Sequence, residues 1–142
     1  VGQVRVLIAD DHPLFAKTLE ALLAGTPELE IVGFAADGLE AVGLAASLCP
    51  DVILMDVEMP HLDGIAATRR IRELDLGIAT IVLTASDDPN TSQRAFEAGA
   101  TGYLTKDRLT YSLVPTVLAA AGARARLSGD GGAELAGRAR VV

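Results

Sequence analysis

The 142 residues are enough for one ordinary domain with a real core, since half of them are hydrophobic. Twelve Lys and Arg against 19 Asp and Glu leave a net charge of −7, which opposes binding to nucleic-acid backbones. Arg124, Arg126, Arg138 and Arg140 face only Asp130 and Glu134 in residues 123–142, so the acid excess is concentrated in the first 122 residues. With three Phe, two Tyr and no Trp the core must be aliphatic. One cysteine, Cys49, excludes an internal disulfide and suits a reducing compartment; between Leu48 and Pro50 it reads as a small core residue. No apolar run approaches a membrane span and no charged-then-apolar leader opens the chain, so the expectation is a soluble, cytoplasmic protein with no membrane contact.

In chain order, Val4–Ala9 is an apolar run broken only by Arg5, the pattern of a central parallel strand, and it ends on Asp10 and Asp11. Pro13 fits the first helical position, and Phe15, Leu19, Leu22 and Leu23 repeat at helical spacing until Gly25. Residues 28–35 alternate as a half-exposed edge strand, with Leu29, Ile31 and Gly33 on one face. Asp37 with Glu40 forms a capping box for a helix to Leu48.

Residues 51–56 read as a buried third strand ending on Asp56, followed by a loop punctuated by Pro60 and Gly64. Asp63 caps a helix carrying Ile65, Thr68, Ile71 and Leu74, with Arg69, Arg70 and Arg72 on the solvated face. Residues 79–85 form a fourth strand. Asp88 and Pro89 open a helix that Gly99 ends; its only apolar anchors are Ala95, Phe96 and Ala98, so it should pack weakly. Residues 101–105 form a fifth strand, followed by Lys106, and residues 109–121 a last helix. Pro115 inside that helix forfeits a hydrogen bond and should delay, kink or displace it. Residues 123–142 read as a flexible tail or linker.

Strands alternating with helices imply a doubly wound, five-stranded parallel sheet. Right-handed crossovers then put every strand's carboxyl end on one rim, the usual place for ligands in such sheets. That rim collects Asp10, Asp11, Asp56, Thr84 and Lys106. Clustered carboxylates repel, and a hard dication such as Mg²⁺ offsets the repulsion while leaving positions for phosphate oxygens. Lys106 and the Thr84 hydroxyl would hold other oxygens of a transferring phosphoryl group, with Asp56 as nucleophile.

Five segments carry a family resemblance: Asp10-Asp11-His12-Pro13, the loop from Asp56 through Glu58, Pro60 and Asp63 to Gly64, Thr84-Ala85, Gly102-Tyr103-Leu104-Thr105, and Lys106 with Asp107. Over about residues 4–122 the chain resembles the receiver domain of two-component response regulators, most like the NarL/FixJ-type branch. The resemblance implies a flavodoxin-like (βα)5 fold with strand order 2-1-3-4-5, a receiver domain over residues 1–122, and phosphorylation of Asp56 by a sensor histidine kinase. It implies Mg²⁺ on Asp11 and Asp56, on Asp10 through water, and on the backbone carbonyl of Glu58. Thr84 and Lys106 would bind phosphoryl oxygens, and Tyr103 would turn inward as Thr84 moves. In many members a linker leads to a helix-turn-helix output domain, so DNA would be met only through a domain outside these 142 residues.

The chain departs from the family at two positions. Asp107 stands where many receivers carry a cis proline, so the Lys106-Asp107 peptide should be trans. Pro115 weighs against homodimerisation through the fourth helix, fifth strand and fifth helix, a common family mode. The enzyme alternative is a small Mg²⁺-dependent aspartyl phosphatase, but such enzymes usually need an Asp two residues after the nucleophile, where this chain has Glu58. A flavodoxin-like FMN carrier needs a phosphate loop where Asp10 and Asp11 stand. His12 and His61 are read as solvent-facing loop or cap residues, because Mg²⁺ prefers oxygen.

Overall fold

The computed structural model describes residues 3–128. Five parallel strands, β1 (Val4–Ala9), β2 (Leu29–Ala35), β3 (Val52–Asp56), β4 (Ala79–Thr84) and β5 (Gly102–Thr105), form one sheet in the order β2-β1-β3-β4-β5. The helices are α1 (Pro13–Ala24), α2 (Gly38–Leu48), α3 (Gly64–Leu74), α4 (Pro89–Ala98) and α5 (Leu109–Ser128), with a 3-10 turn at Lys106–Arg108. The strand order is the expected one, and its reversal point lies between β1 and β3, whose carboxyl ends carry the acids.

The two sheet faces carry different layers. Val6, Ile8, Leu54, Ile81 and Leu83 meet Leu19 and Leu23 of α1 and Leu109, Leu113 and Val117 of α5. On the other face, Leu7, Ile53 and Met55 meet Ala41 and Ala45 of α2 and Ala67 and Ile71 of α3. A third, smaller cluster holds α4, through Ala95 and Ala98, against Ile65, Val82 and Ala100. Burial of β1, β3 and β4 on both faces explains why their sequences are almost wholly apolar.

Local signals set most boundaries. The side chains of Asp37, Asp63 and Asp88 accept from the backbone N–H groups of Glu40, Ala66 and Asn90, and Glu40 reaches back to the N–H of Ala36 at 2.6 Å. Gly99 ends α4 at φ +112°, where a side chain would be strained and would strike Arg72.

Four expectations are corrected. In β2 the register shifts between Val6 and Leu7, which pair with Ile31 and Gly33, so Val32 is an inserted residue. A Cβ on Gly33 would meet Leu48 and Leu7 on the α2 side, whereas Ile31 packs on the opposite cluster; Gly33 does not share a face with Leu29 and Ile31. Cys49 is exposed, not a core residue, because it caps α2 in the left-handed conformation at φ 46°. Pro115 neither delays nor interrupts α5. Its lost hydrogen bond is the one to the carbonyl of Tyr111, both residues are exposed, and Leu113 and Val117 anchor the helix on either side. The helix also continues through Gly122 to Ser128, with Ala120 and Ala123 buried. Residues 123–128 of the expected tail are therefore helical, and residues 129–142 of it lie outside the described residues. The described residues contain no cis peptide bond, so Lys106-Asp107 is trans as expected.

Candidate functional site

The predicted rim residues converge at the carboxyl ends of β1, β3 and β5. Asp10 is buried, and its Oδ1 accepts from the backbone N–H of His12 at 2.7 Å, which tightens the turn into α1. Asp56 ends β3 with only 3% of its surface exposed. The loop after it folds back tightly: Gly64 N–H donates to the Val57 carbonyl at 2.8 Å, and a Cβ on Gly64 would collide with the Asp56 carbonyl oxygen. Only glycine permits that approach, which is the physical content of the Pro60-to-Gly64 signature. Gly38 plays the same part where α2 meets the backbone of Leu62 in this loop.

Lys106 follows β5 and reaches across the rim. Its Nζ lies 3.2 Å from Asp56 Oδ1 and 3.5 Å from Asp10 Oδ2, so one ammonium bridges two buried carboxylates. It also stands 4.1 Å from the centre of the Phe15 ring. Burial, then the neighbouring Asp10, push the Asp56 carboxyl above the usual carboxylate range, while Lys106 opposes the shift.

Two buried oxygens, Asp11 Oδ1 and Asp56 Oδ2, have no hydrogen-bond partner. Buried acceptors are nearly always satisfied, so Asp11 Oδ1 suits a cation and Asp56 Oδ2 is open to an incoming electrophile. Ligand atoms of Asp10, Asp11, His12 and Asp56 all lie within 4.8 Å of one another. Glu58 is exposed and lines, with Asp11, Met59 and Arg94, an open cleft of about 690 Å³ beside the acids. The carboxylates thus have both the donor set for a hard dication and an approach for a second molecule.

Thr84 is buried at the end of β4, and its Oγ1 accepts from the Ser86 N–H at 3.2 Å. Tyr103 in β5 donates its hydroxyl to the Ser86 carbonyl at 3.1 Å and places its ring 6.4 Å from that of Phe96 in α4. Burial raises the Tyr103 phenol, Thr84 opposes this, and Asp87 and Asp88 add to it. Thr84, Ser86, Tyr103 and Phe96 therefore connect the rim to the outer face of α4.

Three participants escape a reading by strand ends. Phe15, expected only in the core, also supports Lys106. His12 is the exposed N-cap of α1, as expected for a cap residue, yet its ring nitrogen enters the acid cluster. Arg94 brings a cation from α4 to the cleft. The order Asp-Asp-His-Pro-x-Phe was the available signal for the first two.

Residues 6–117 match the family described as the response regulator receiver domain. The transcriptional regulatory protein LiaR of Bacillus subtilis is 43% identical over 118 residues, which cover 82% of this chain and 56% of LiaR. The probable transcriptional regulatory protein NarL of Mycobacterium tuberculosis is 35% identical, over 82% of this chain and 54% of that protein. The solved signal receiver domain of that putative NarL superposes with a TM-score of 0.83 at 34% identity, covering 86% of this chain and 98% of the other. This chain spans about half the length of the curated relatives it matches. The acid-bearing rim, the strand order and these relatives together place the chain in the response regulator receiver domain family, in its NarL/FixJ branch.

Proposed function

We propose that this domain is a phosphorylation-controlled switch in which Asp56 takes a phosphoryl group from the phosphohistidine of a sensor histidine kinase. The observation that carries the reading is the Lys106 ammonium at 3.2 Å from Asp56 Oδ1 while Asp56 Oδ2 is buried without a partner. One oxygen is held and the other is free to attack phosphorus. The O–P bond forms as the P–N bond to the donor imidazole breaks, and the imidazole departs with its electron pair.

Asp10, Asp11, Asp56 and the backbone carbonyl of Glu58 would hold Mg²⁺, which supplies positive charge to the acids and to the phosphoryl oxygens. Lys106, which now bridges Asp10 and Asp56, gains a third anionic partner when the phosphoryl group arrives. Thr84 already accepts from the Ser86 N–H, so its own hydroxyl proton can be donated to a phosphoryl oxygen. Because Tyr103 is tied to the same Ser86, movement of Thr84 is passed to the β5 aromatic and to α4.

The domain acts on no separate substrate; its turnover is confined to its own aspartyl phosphate. The receiver unit ends with α5, and residues beyond it lead to a DNA-binding output domain that controls transcription in the cytoplasm. A homodimer through α4, β5 and α5 fits the uninterrupted α5 better than Pro115 alone suggests.

Incubation with acetyl phosphate and Mg²⁺ should add one phosphate by mass spectrometry in the wild type and none in Asp56→Ala. Equal labelling of the variant would sink the assignment. Lys106→Ala should keep its fold and lose either phosphotransfer or the conformational response to it.

A further inference from the structure

The Lys106 ammonium has a third neighbour besides its two carboxylates. Asp56 Oδ1 stands 3.2 Å from Nζ and Asp10 Oδ2 3.5 Å, while the face of the Phe15 ring lies beneath it, its centre 4.1 Å away. Phe15 comes from the first turn of α1 and Lys106 from the residue after β5, so the contact joins two elements far apart in sequence. The Lys106 side chain is only 21% exposed, and a cation over a ring face is attracted more strongly as water is withdrawn.

The ring is held from two directions. Phe15 is half-buried and packs on the core cluster that contains Leu19 and Leu109. Asp10 ties ring and ammonium to one carboxylate: its Oδ1 accepts from the His12 backbone N–H at 2.7 Å, which fixes the entry into α1, and its Oδ2 accepts from Lys106. The ring and the ammonium therefore keep their places relative to one buried group.

An ammonium carries three N–H donors on a flexible four-carbon stem. Further oxygen acceptors would hold the stem only by occupying those donors. A ring face attracts the charge through its quadrupole and engages an N–H only weakly, so donor capacity is kept for an arriving oxygen.

From this geometry we infer that Phe15 is a positioning residue for phosphotransfer: its ring face holds the Lys106 ammonium at Asp56 without using the donors that the incoming phosphoryl group needs. The inference rests on Asp56 being the phosphoacceptor, as proposed above.

The test uses the 142-residue chain with phenylalanine analogues carrying one, two or three ring fluorines at residue 15, and Phe15→Leu beside them. Fluorines weaken the ring quadrupole stepwise at nearly constant shape, so this series answers the question even if Phe15→Leu folds poorly. The first readout is NMR of the Lys106 Hε protons before any phosphodonor is added. A ring face shifts protons above it upfield; the wild-type signals should be upfield and distinct, and in Phe15→Leu they should return to ordinary positions and merge. The second readout is the rate of phosphorylation by acetyl phosphate with Mg²⁺. It should fall in the order of fluorine number, reaching about three- to tenfold below the wild type with three fluorines. Lys106 signals that are the same in the wild type and Phe15→Leu, or a rate indifferent to fluorination, overturn the role of Phe15 and leave Asp56 as phosphoacceptor intact. A wild type that takes no phosphate overturns the phosphoacceptor reading and the role of Phe15 in transfer with it, whatever the NMR signals show.

Discussion

The face covered by α1 and α5 and the corner covered by α4 hold the same sheet by different means. The first interlocks Leu19, Leu23, Leu109, Leu113 and Val117 with the β-branched and Leu side chains of β1, β3 and β4. The second meets Val82 and Ile65 with little more than Ala95, Ala98 and Ala100. Small side chains bury little area and make few dispersion contacts, so α4 is retained largely by polar ties at its ends. At one end Arg72 of α3 donates from Nη1 to the Glu97 carbonyl at 2.9 Å; ahead of the other, Tyr103 holds Ser86, two residues before the Asp88 cap. The phosphoacceptor candidate lies between the firm and the loose region. A chemical event there can move one without unpacking the other.

The sharpest way to break the contrast is to hollow out the firm face. Leu113 is 1% exposed, and Leu113→Ala should lower stability by about 2–5 kcal/mol in urea denaturation. A loss under about 1 kcal/mol would mean that α5 is not the anchor described here.

Asp56→Asn should act in the opposite direction. Burial and Asp10 hold the folded Asp56 carboxyl above its unfolded value, so the folded state binds this proton more tightly. Ionised Asp56 therefore costs stability at neutral pH. That cost is relieved as pH falls through the raised folded value and is gone below the ordinary carboxylate range. The metal-free Asn variant should melt above the wild type at pH 7. The gap should shrink on acidification and also on adding Mg²⁺ to both proteins. A wild type that melts higher than the variant at pH 7 without metal would show that the Lys106 pairing outweighs the desolvation.

Arg72→Ala should have a smaller and more local effect, about 1 kcal/mol for one exposed hydrogen bond. Amides of residues 89–98 should exchange faster, with those of residues 109–123 unchanged. Equal acceleration in both regions would refute the separation between them.

Much of this arrangement was legible because the sequence marks it redundantly. Asp37, Asp63 and Asp88 announce their helices through caps, and both-face burial of β1, β3 and β4 writes continuous apolar runs that end on the site acids. What escaped depends on single residues whose type is compatible with two placements. The bulge at Val32 changes which face Gly33 occupies, yet a glycine in an alternating run suits either. The helix-interior cost of Pro115 depends on which side of α5 it occupies, and that side is exposed only because of how the helix packs. His12 and Phe15 belong to a helix start that folds back over the rim, and only the tertiary path of α1 sets them beside Asp11 and Lys106.

The finest test concerns the outer tie of α4. Phe96 is 47% exposed, and its ring meets Tyr103 at 6.4 Å with the planes tilted by 48°. An aromatic pair of this kind contributes about 0.5–1.5 kcal/mol, toward the lower end when one ring is half in water. Phe96→Ala should thus cost well under Leu113→Ala in global stability, while releasing the Tyr103 ring. If Tyr103 reports the state of Thr84 through Ser86, its NMR ring signals should broaden or shift in Phe96→Ala before any phosphodonor is added. On adding beryllofluoride with Mg²⁺, they should then change less than in the wild type. Identical responses in the two proteins would show that Tyr103 is coupled to the rim without involving α4, and the loose region would lose its part in the switch.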